Sequence, residues 1–217
     1  MDADTTGGAT VLSVVADEER RALVIELDDG STHVTAPDAP EARGLTPGLV
    51  LSDDARSALE HAATRKEIAR RVFDWLDRRP RCRADLHRRL RARDYEPAAI
   101  DAVLDRFEQQ GLVDDRAYAR AWAEQTVRRK GVGRRWIEAR LRQQGIDASL
   151  AREAADAVLD AEAELEQAKR ALVSRRMDLD DARQRQRALR FLQQRGFGGA
   201  TARAALRADL DEPGAVG

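Results

Sequence analysis

A single cysteine, Cys82, rules out an internal disulfide and with it the cross-linked framework of small exported domains. No apolar run approaches the roughly 20 residues that a membrane span needs. The opening M-D-A-D-T-T-G-G is acidic and has no apolar core like that of a signal peptide, so cytoplasm is the expected compartment. No G-x-x-x-x-G-K-[ST] loop is present, so ATP is not an expected ligand. His33 and His61 stand alone, with no ligand pattern around them, and neither a metal nor any other cofactor is expected. Proline and glycine are scarce, at 6 and 14 of 217 residues, and aromatic residues make up 4%. Ala, Leu, Arg, Glu and Gln, all strong helix formers, fill the space left. The composition is that of a highly charged, mainly α protein.

Within that composition one pattern recurs. Leu90 is followed five residues later by Tyr95, Leu141 by Ile146 and Leu192 by Phe197, and the copies are 51 residues apart. The match reaches back to Leu86, Ile137 and Ala188 and forward to Ile100, Ala151 and Ala202. In each copy a leucine closes an amphipathic helix and a turn residue breaks it: Asp94, Gly145, Gly196. A fixed period near fifty residues marks stacked supersecondary units, each too small to bury its own apolar face. Such arrays are surfaces for large partners more often than pockets for small ones.

Charge follows the repeat. The net charge of -1 hides thirteen acids against four bases in residues 1–60 and twelve bases against four acids in 61–93. The sign then alternates: acidic over 94–119, basic over 120–142, acidic over 143–168, basic over 169–195. Copies stacked in register would align basic parts along one ridge and acidic helices along another, which suits an elongated partner with patterned charge. The plainer reading is that a charge content of 35% keeps a helical chain soluble.

Along the chain, residues 1–9 read as disordered and 10–50 as a small antiparallel β-region with its linker. Val11–Val15, Ala22–Leu27 and Thr32–Thr35 are β-type runs, and Asp29-Gly30 is a hairpin turn signal. Ser52 reads as an N-cap with Asp53 and Asp54 in the first turn. A connecting helix is expected over 51–64. Three three-helix repeats follow, over 65–112, 113–160 and 161–210, with a flexible tail over 211–217. Their predicted helices run from Lys66 to Arg79, Arg83 to Arg93 and Pro97 to Gly111, where Gly111 is the stop. The next are Arg116 to Arg129, Gly133 to Gln143 and Asp147 to Asp160. The last are Ala161 to Met177, Asp180 to Gln194 and Gly199 to Ala208. The expected architecture is a tandem array, elongated and curved, behind a small β-region, and the expected state is a monomer.

G-L-V-D-D-R-A-Y-A (111–119), K-G-V-G-R-R-W-I (130–137), L-R-Q-Q-G-I (141–146), R-C-R-A-D-L-H-R-R-L (81–90) and F-L-Q-Q-R-G-F (191–197) occur in that order and spacing. Together they resemble the RecX family of recombination regulators over about residues 62–210. The resemblance implies an all-helical regulator that binds RecA and the RecA–DNA filament. Most often such a regulator inhibits strand exchange, ATP hydrolysis and co-protease activity. The N-terminal β-region is similar to an extension that some members carry. The chain departs from the family at Cys82, where a small hydroxyl residue is common, at Asp85, where Glu is common, and at Arg140, where many members have an acid.

The candidate binding residues are basic. Arg88, Arg89, Arg91 and Arg93 crowd one short helix. Arg128, Arg129, Lys130, Arg134 and Arg135 surround the glycine-hinged K-G-V-G turn, with Trp136 directly after and Arg140 one turn on. Basic side chains beside an exposed aromatic can hold phosphate and stack on bases. The alternative is that Trp136 plugs the core and the arginines pair with nearby acids. DNA phosphates and acidic RecA side chains both remain open as their contacts. A helical-repeat protein acting directly on DNA is the competing function. Asp114-Asp115 reads as an N-cap rather than a metal site, and Tyr118 as a packing residue. Cys82 and His87 lack an orienting third group, so no catalysis is expected.

Overall fold

The structure is a computed structural model that describes residues 8–175, 179 and 181–211. The β-type runs form β1 (Ala9–Asp17), β2 (Ala22–Leu27) and β3 (Thr32–Thr35), joined by β4 (Val50–Leu51) into one sheet of order β3-β2-β1-β4. All three pairings are antiparallel. Gly30, at φ 81°, makes the β2–β3 turn. A bulge between Val11 and Ser13 leaves Leu12 outside the β1–β2 register. Alternation sends Val11, Ile25, Leu27 and Leu51 to the inner face, where they pack with Leu59. β4 was absent from the sequence reading, because two residues carry too little periodicity to show. Of the disordered stretch expected over 1–9, residues 1–7 lie outside the described residues, and Ala9 already opens β1.

α1 (Asp53–Arg78) corrects the expected boundary near residue 65: the connecting helix and the first helix of the first repeat are one helix of 26 residues. Nothing between Ser52 and Arg79 interrupts it, since the segment holds neither Pro nor Gly and Pro80 follows. Ser52 caps it, its Oγ accepting the Ala55 N–H at 3.2 Å. α2 (Arg83–Arg91) stops two residues short of the expected end, and Asp94 takes the turn at φ 63°. α3 (Pro97–Gln109) has Pro97 in its first turn, where a missing N–H costs nothing. α4 (Asp115–Lys130), α5 (Arg134–Gln143), α6 (Ala148–Val158), α7 (Ala161–Arg175), α8 (Ala182–Gln194) and α9 (Gly199–Asp211) follow. Met177, Asp180 and residues 212–217 of the expected third repeat and tail lie outside the described residues.

The described residues fall into two compact units. One holds the chain up to Pro80 with His87–Gln110; the other holds Arg81–Leu86 with the chain from Gly111 on. The first contains the sheet, α1 packed on β3 and α3, and a buried stripe of Ile68, Val72, Ile100, Leu104 and Phe107. The second contains two cores. Ala119, Ala123, Ile137, Leu141, Ile146 and Ala155 centre the α4–α6 core; Ala168, Leu172, Leu192, Phe197 and Ala205 centre that of α7–α9. Of the twelve apolar positions aligned by the 51-residue interval, nine have an exposure of 0%; Phe197 and Ile146 are buried at 1% and 3%, and Tyr95 is half-buried. Burying a leucine side chain contributes about 1.5–3 kcal/mol, so the interval marks the positions that hold the helices together.

Candidate partner-binding surface

The second compact unit carries a junction that its sequence builds twice. At the first, the α2 start meets the turn after α5. The Cys82 Sγ–H points to the Gln144 carbonyl at 3.6 Å, and a Cβ on Gly145 would fall 2.3 Å from the Ala84 Cβ. At the second, 51 residues on, the α5 start meets the turn after α8. The Gly133 N–H donates to the Arg195 carbonyl at 2.9 Å and the Arg135 N–H to the Gly196 carbonyl at 3.2 Å. A Cβ on Gly133 would fall 2.5 Å from the Gly196 carbonyl oxygen, so only glycine lets these backbones approach.

A carboxylate closes each junction. Asp115 accepts the Arg83 N–H at 2.7 Å, and Glu164 accepts the Arg134 N–H at 3.0 Å. Both satisfy a donor that the first turn of a helix leaves open. Burial pushes the Asp115 carboxyl above its ordinary value, against the opposing Arg83 N–H. Asp114 is the cap of α4, its Oδ1 accepting the Ala117 N–H at 2.9 Å. Tyr118 packs against the α4–α6 core and donates to Gln144 Oε1 at 2.8 Å. Cys82 is buried, which pushes its thiol pKa up and away from a reactive thiolate.

The second junction presents the basic turn. Arg128, Arg129 and Lys130 occupy the last turn of α4, where cations favour the helix dipole, and Gly131 ends the helix at φ 56°. Arg195 Nη1 donates to the Lys130 carbonyl at 2.7 Å and the Gly131 carbonyl at 3.2 Å; Gln167 Nε2 donates to the Val127 carbonyl at 2.9 Å. The turn is therefore rigidly held from behind. Arg128, 79% exposed and 3.8 Å from Glu124, and Arg129 help line a shallow groove of about 330 Å³ along α4. Arg135 and Arg140 are also exposed, with Arg140 Nη1 donating to Gln143 Oε1 at 2.8 Å.

Two of the sequence candidates are placed differently from the rest. Arg134 turns inward to Glu164 at 3.3 Å and Asp156 at 3.2 Å, so its charge is spent on the junction. Trp136 is half-buried rather than open. Trp122 stacks against it at 6.2 Å and 10°, and Lys130 Nζ lies 5.2 Å from its ring centre. The core-plug reading of Trp136 is the one its packing favours.

The other basic group sits in the first compact unit. Arg89 and Arg93 lie 5.9 and 5.0 Å from the centre of the half-buried Trp75 ring, a cation–π arrangement. Arg93 Nη1 also donates to the Arg89 carbonyl at 3.1 Å, and Arg91 Nη1 to the Tyr95 carbonyl at 2.8 Å. Arg88 is exposed. Sequence reasoning missed Trp75, Trp122, Glu164, Gln167 and Arg195. Glu164, 49 residues after Asp115, carried the one available signal, an acid near the repeat interval. Among the described residues no group of His, Cys, Asp and Glu is arranged to hold a metal, and no helix is long and apolar enough to cross a membrane.

Short three-helix domains joined by repeated backbone junctions define a modular helical protein whose distinctive surface is basic turns. The chain belongs to the RecX family. Residues 70–107 match the family's first three-helix domain and residues 114–154 its second. The chain is 36% identical to the regulatory protein RecX of Thermobifida fusca over 142 residues, spanning 64% of this chain and 76% of that protein. It is 31% identical to that of Corynebacterium efficiens over 170 residues, spanning 73% and 80%. A crystal structure of a regulatory protein RecX matches 94% of this chain and all of its own with a TM-score of 0.78 at 23% identity. That of RecX from Lactobacillus salivarius matches 69% of this chain with a TM-score of 0.63 at 20% identity.

Proposed function

We propose that this protein regulates recombination by binding RecA and the RecA–DNA filament as a monomer in the cytoplasm. Its effect is to inhibit RecA's strand exchange, ATP hydrolysis and co-protease activity. The helices act as three repeats, 65–112, 113–160 and 161–210. The observation that carries the reading is membership of a family whose relatives bear the name regulatory protein RecX. The exposed basic turn supports it: Arg128, Arg129, Lys130 and Arg135 face outward on a backbone pinned by Arg195, and a preset array of cations binds an anionic surface with little ordering cost. Arg140, in the same compact unit, extends the basic contact, and Arg88 and Arg91 offer a separate basic group on the other unit. No chemistry on substrate is part of the proposal.

The test is the ATP turnover of RecA on single-stranded DNA already coated with RecA. Suppression by this protein at ratios far below one per DNA-binding site is the expected result. Inhibition that appears only when free DNA is saturated would replace filament recognition with the competing function, direct binding to DNA.

A further inference from the structure

The sheet of β1–β4 spends only one of its faces on the core. Val11, Ile25, Leu27 and Leu51 point inward, against Ala42 and Leu59 of α1. Side chains alternate along a strand, so the residues between these point outward. Val15, Val24 and Val34 pair in one outward row across β1, β2 and β3, and Val50 pairs with Thr10 at the other end of the face. The bulge adds to the same side. Val11 and Val14 both pack into the core, so the two residues between them, Leu12 and Ser13, both point out. These apolar side chains are open to solvent: Leu12 is 57% exposed, Val15 56%, Val34 39% and Val50 63%. The free face of an antiparallel sheet is ordinarily polar; this one carries a leucine and four valines.

One charge lies among them. Glu26 occupies the row Ser13–Glu26–Thr32, next to the valine row. It is exposed and accepts the Ser13 hydroxyl at 3.0 Å. Among the described residues no lysine or arginine is paired with it, and none belongs to these rows.

The face selects its occupant in three ways. Backbone N–H and C=O groups lie in the plane of a sheet, so a face offers none to a segment laid upon it. Such a segment must satisfy its own backbone, and a single segment does so as a helix. Second, four strands by about six residues make a face of about 14 by 20 Å, on the order of 300 Å². That is well below the roughly 800 Å² per partner of a stable dimer. A second copy would also bring another Glu26 into the same dry contact, at the cost of burying like charges. Third, the rows hold no cation for the phosphates of a nucleic acid or of an anionic lipid.

We propose that the outer face of this sheet docks one amphipathic helix of a partner protein, with a lysine or arginine at the border of its apolar stripe. The stripe, at i, i+3, i+4 and i+7, packs on Leu12 and the valines. The basic residue lays its stem along the valine row and carries its charge to Glu26. This surface uses no residue of the basic turns and stands whether or not filament binding does.

The test titrates the full chain, isotope-labelled at leucine and valine methyls, with a synthetic alanine-rich helical peptide of about 15 residues. The peptide carries leucines at the stripe positions and one lysine beside them. Methyl shifts centred on Leu12, Val15, Val24, Val34 and Val50 are the expected result. Replacing the peptide's lysine by glutamate weakens binding by about tenfold. Val15→Lys, at an exposed position, abolishes the shifts. Should that variant not fold, Glu26→Lys serves instead and reverses the preference to the glutamate peptide. Equal binding of both peptides, shifts confined to methyls of the helices, or no shifts would overturn the proposal. Concentration-dependent broadening of the same methyls without peptide would assign the face to a second copy and overturn it too.

Discussion

Glu164 holds Arg134 twice, accepting its backbone N–H at 3.0 Å and its side-chain Nε at 3.3 Å, while Thr201 Oγ1 donates to the same carboxylate at 3.3 Å. Glu164 is 2% exposed and Arg134 is 35% exposed. Three helices, α5, α7 and α9, meet on this one side chain. Glu164→Ala strands a helix-start N–H and a guanidinium together. Breaking a fully buried pair costs about 3–5 kcal/mol, and the partial exposure of Arg134 lowers the expected loss to about 2–3 kcal/mol. Urea unfolding measures it. A loss below experimental error would mean that water replaces the carboxylate without penalty.

Gly196 and Gly30 share a backbone conformation, at φ 82° and 81°, but not their surroundings. An alanine at Gly30 meets nothing within 4 Å, so it costs only the left-handed strain, about 1–2 kcal/mol. At Gly196 the new Cβ would fall 2.3 Å from the Trp136 backbone N, adding roughly 1–3 kcal/mol of overpacking. Thermal unfolding of the two variants should therefore rank Gly196→Ala well below Gly30→Ala. Equal midpoints would refute the close approach of the α5 start to the turn after α8.

The nine fully buried positions at the 51-residue interval were legible in the sequence, because a packed leucine or alanine leaves a periodic trace. So were the positive-φ turns at Asp94, Gly145 and Gly196, the Ser52 cap and the Asp29-Gly30 hairpin. The inward turn of Arg134 was not legible. It depends on an acid thirty residues later, and neither periodicity nor propensity says which of many arginines will meet a buried carboxylate. The two readings of Trp136 could not be separated for the same reason: its half-buried setting comes from Trp122 and Lys130, both on the preceding helix α4.

Asp115 supplies a pH signature. Its carboxyl lies above the ordinary value of 3.8 because burial disfavours the charge, with the Arg83 N–H opposing. Between 3.8 and that raised value the folded chain binds more protons than the unfolded chain, so this group's contribution to stability falls as pH rises through the window. Asp115→Asn keeps an oxygen for the Arg83 N–H and removes the titration. Unfolding curves from acid to neutral pH should show the difference between variant and parent shifting in the variant's favour as pH rises. A difference constant across the series contradicts the raised value.

Replacing Arg128, Arg129 and Lys130 together by Ala should leave helix content unchanged, since all three are exposed. Binding to RecA-coated single-stranded DNA should weaken. If the three touch DNA phosphates, each lost contact lowers the salt slope of binding by roughly 0.7–0.9, on naked and coated DNA alike. If they touch acidic RecA side chains, binding to naked DNA stays as it was. Unchanged affinity for both substrates at every salt concentration would reduce the turn to a solvated surface.

Arg195 reaches back 65 positions to the carbonyl of Lys130. The shape of the basic turn is thus completed by a residue synthesised well after the turn itself. During translation Arg128, Arg129 and Lys130 leave the ribosome long before the guanidinium that fixes their backbone. A chain cut short before α8 would keep every basic side chain of the turn and lose the clamp on its carbonyls. Premature termination between Gly131 and Arg195 would then yield a product with the right charges on a slack hinge.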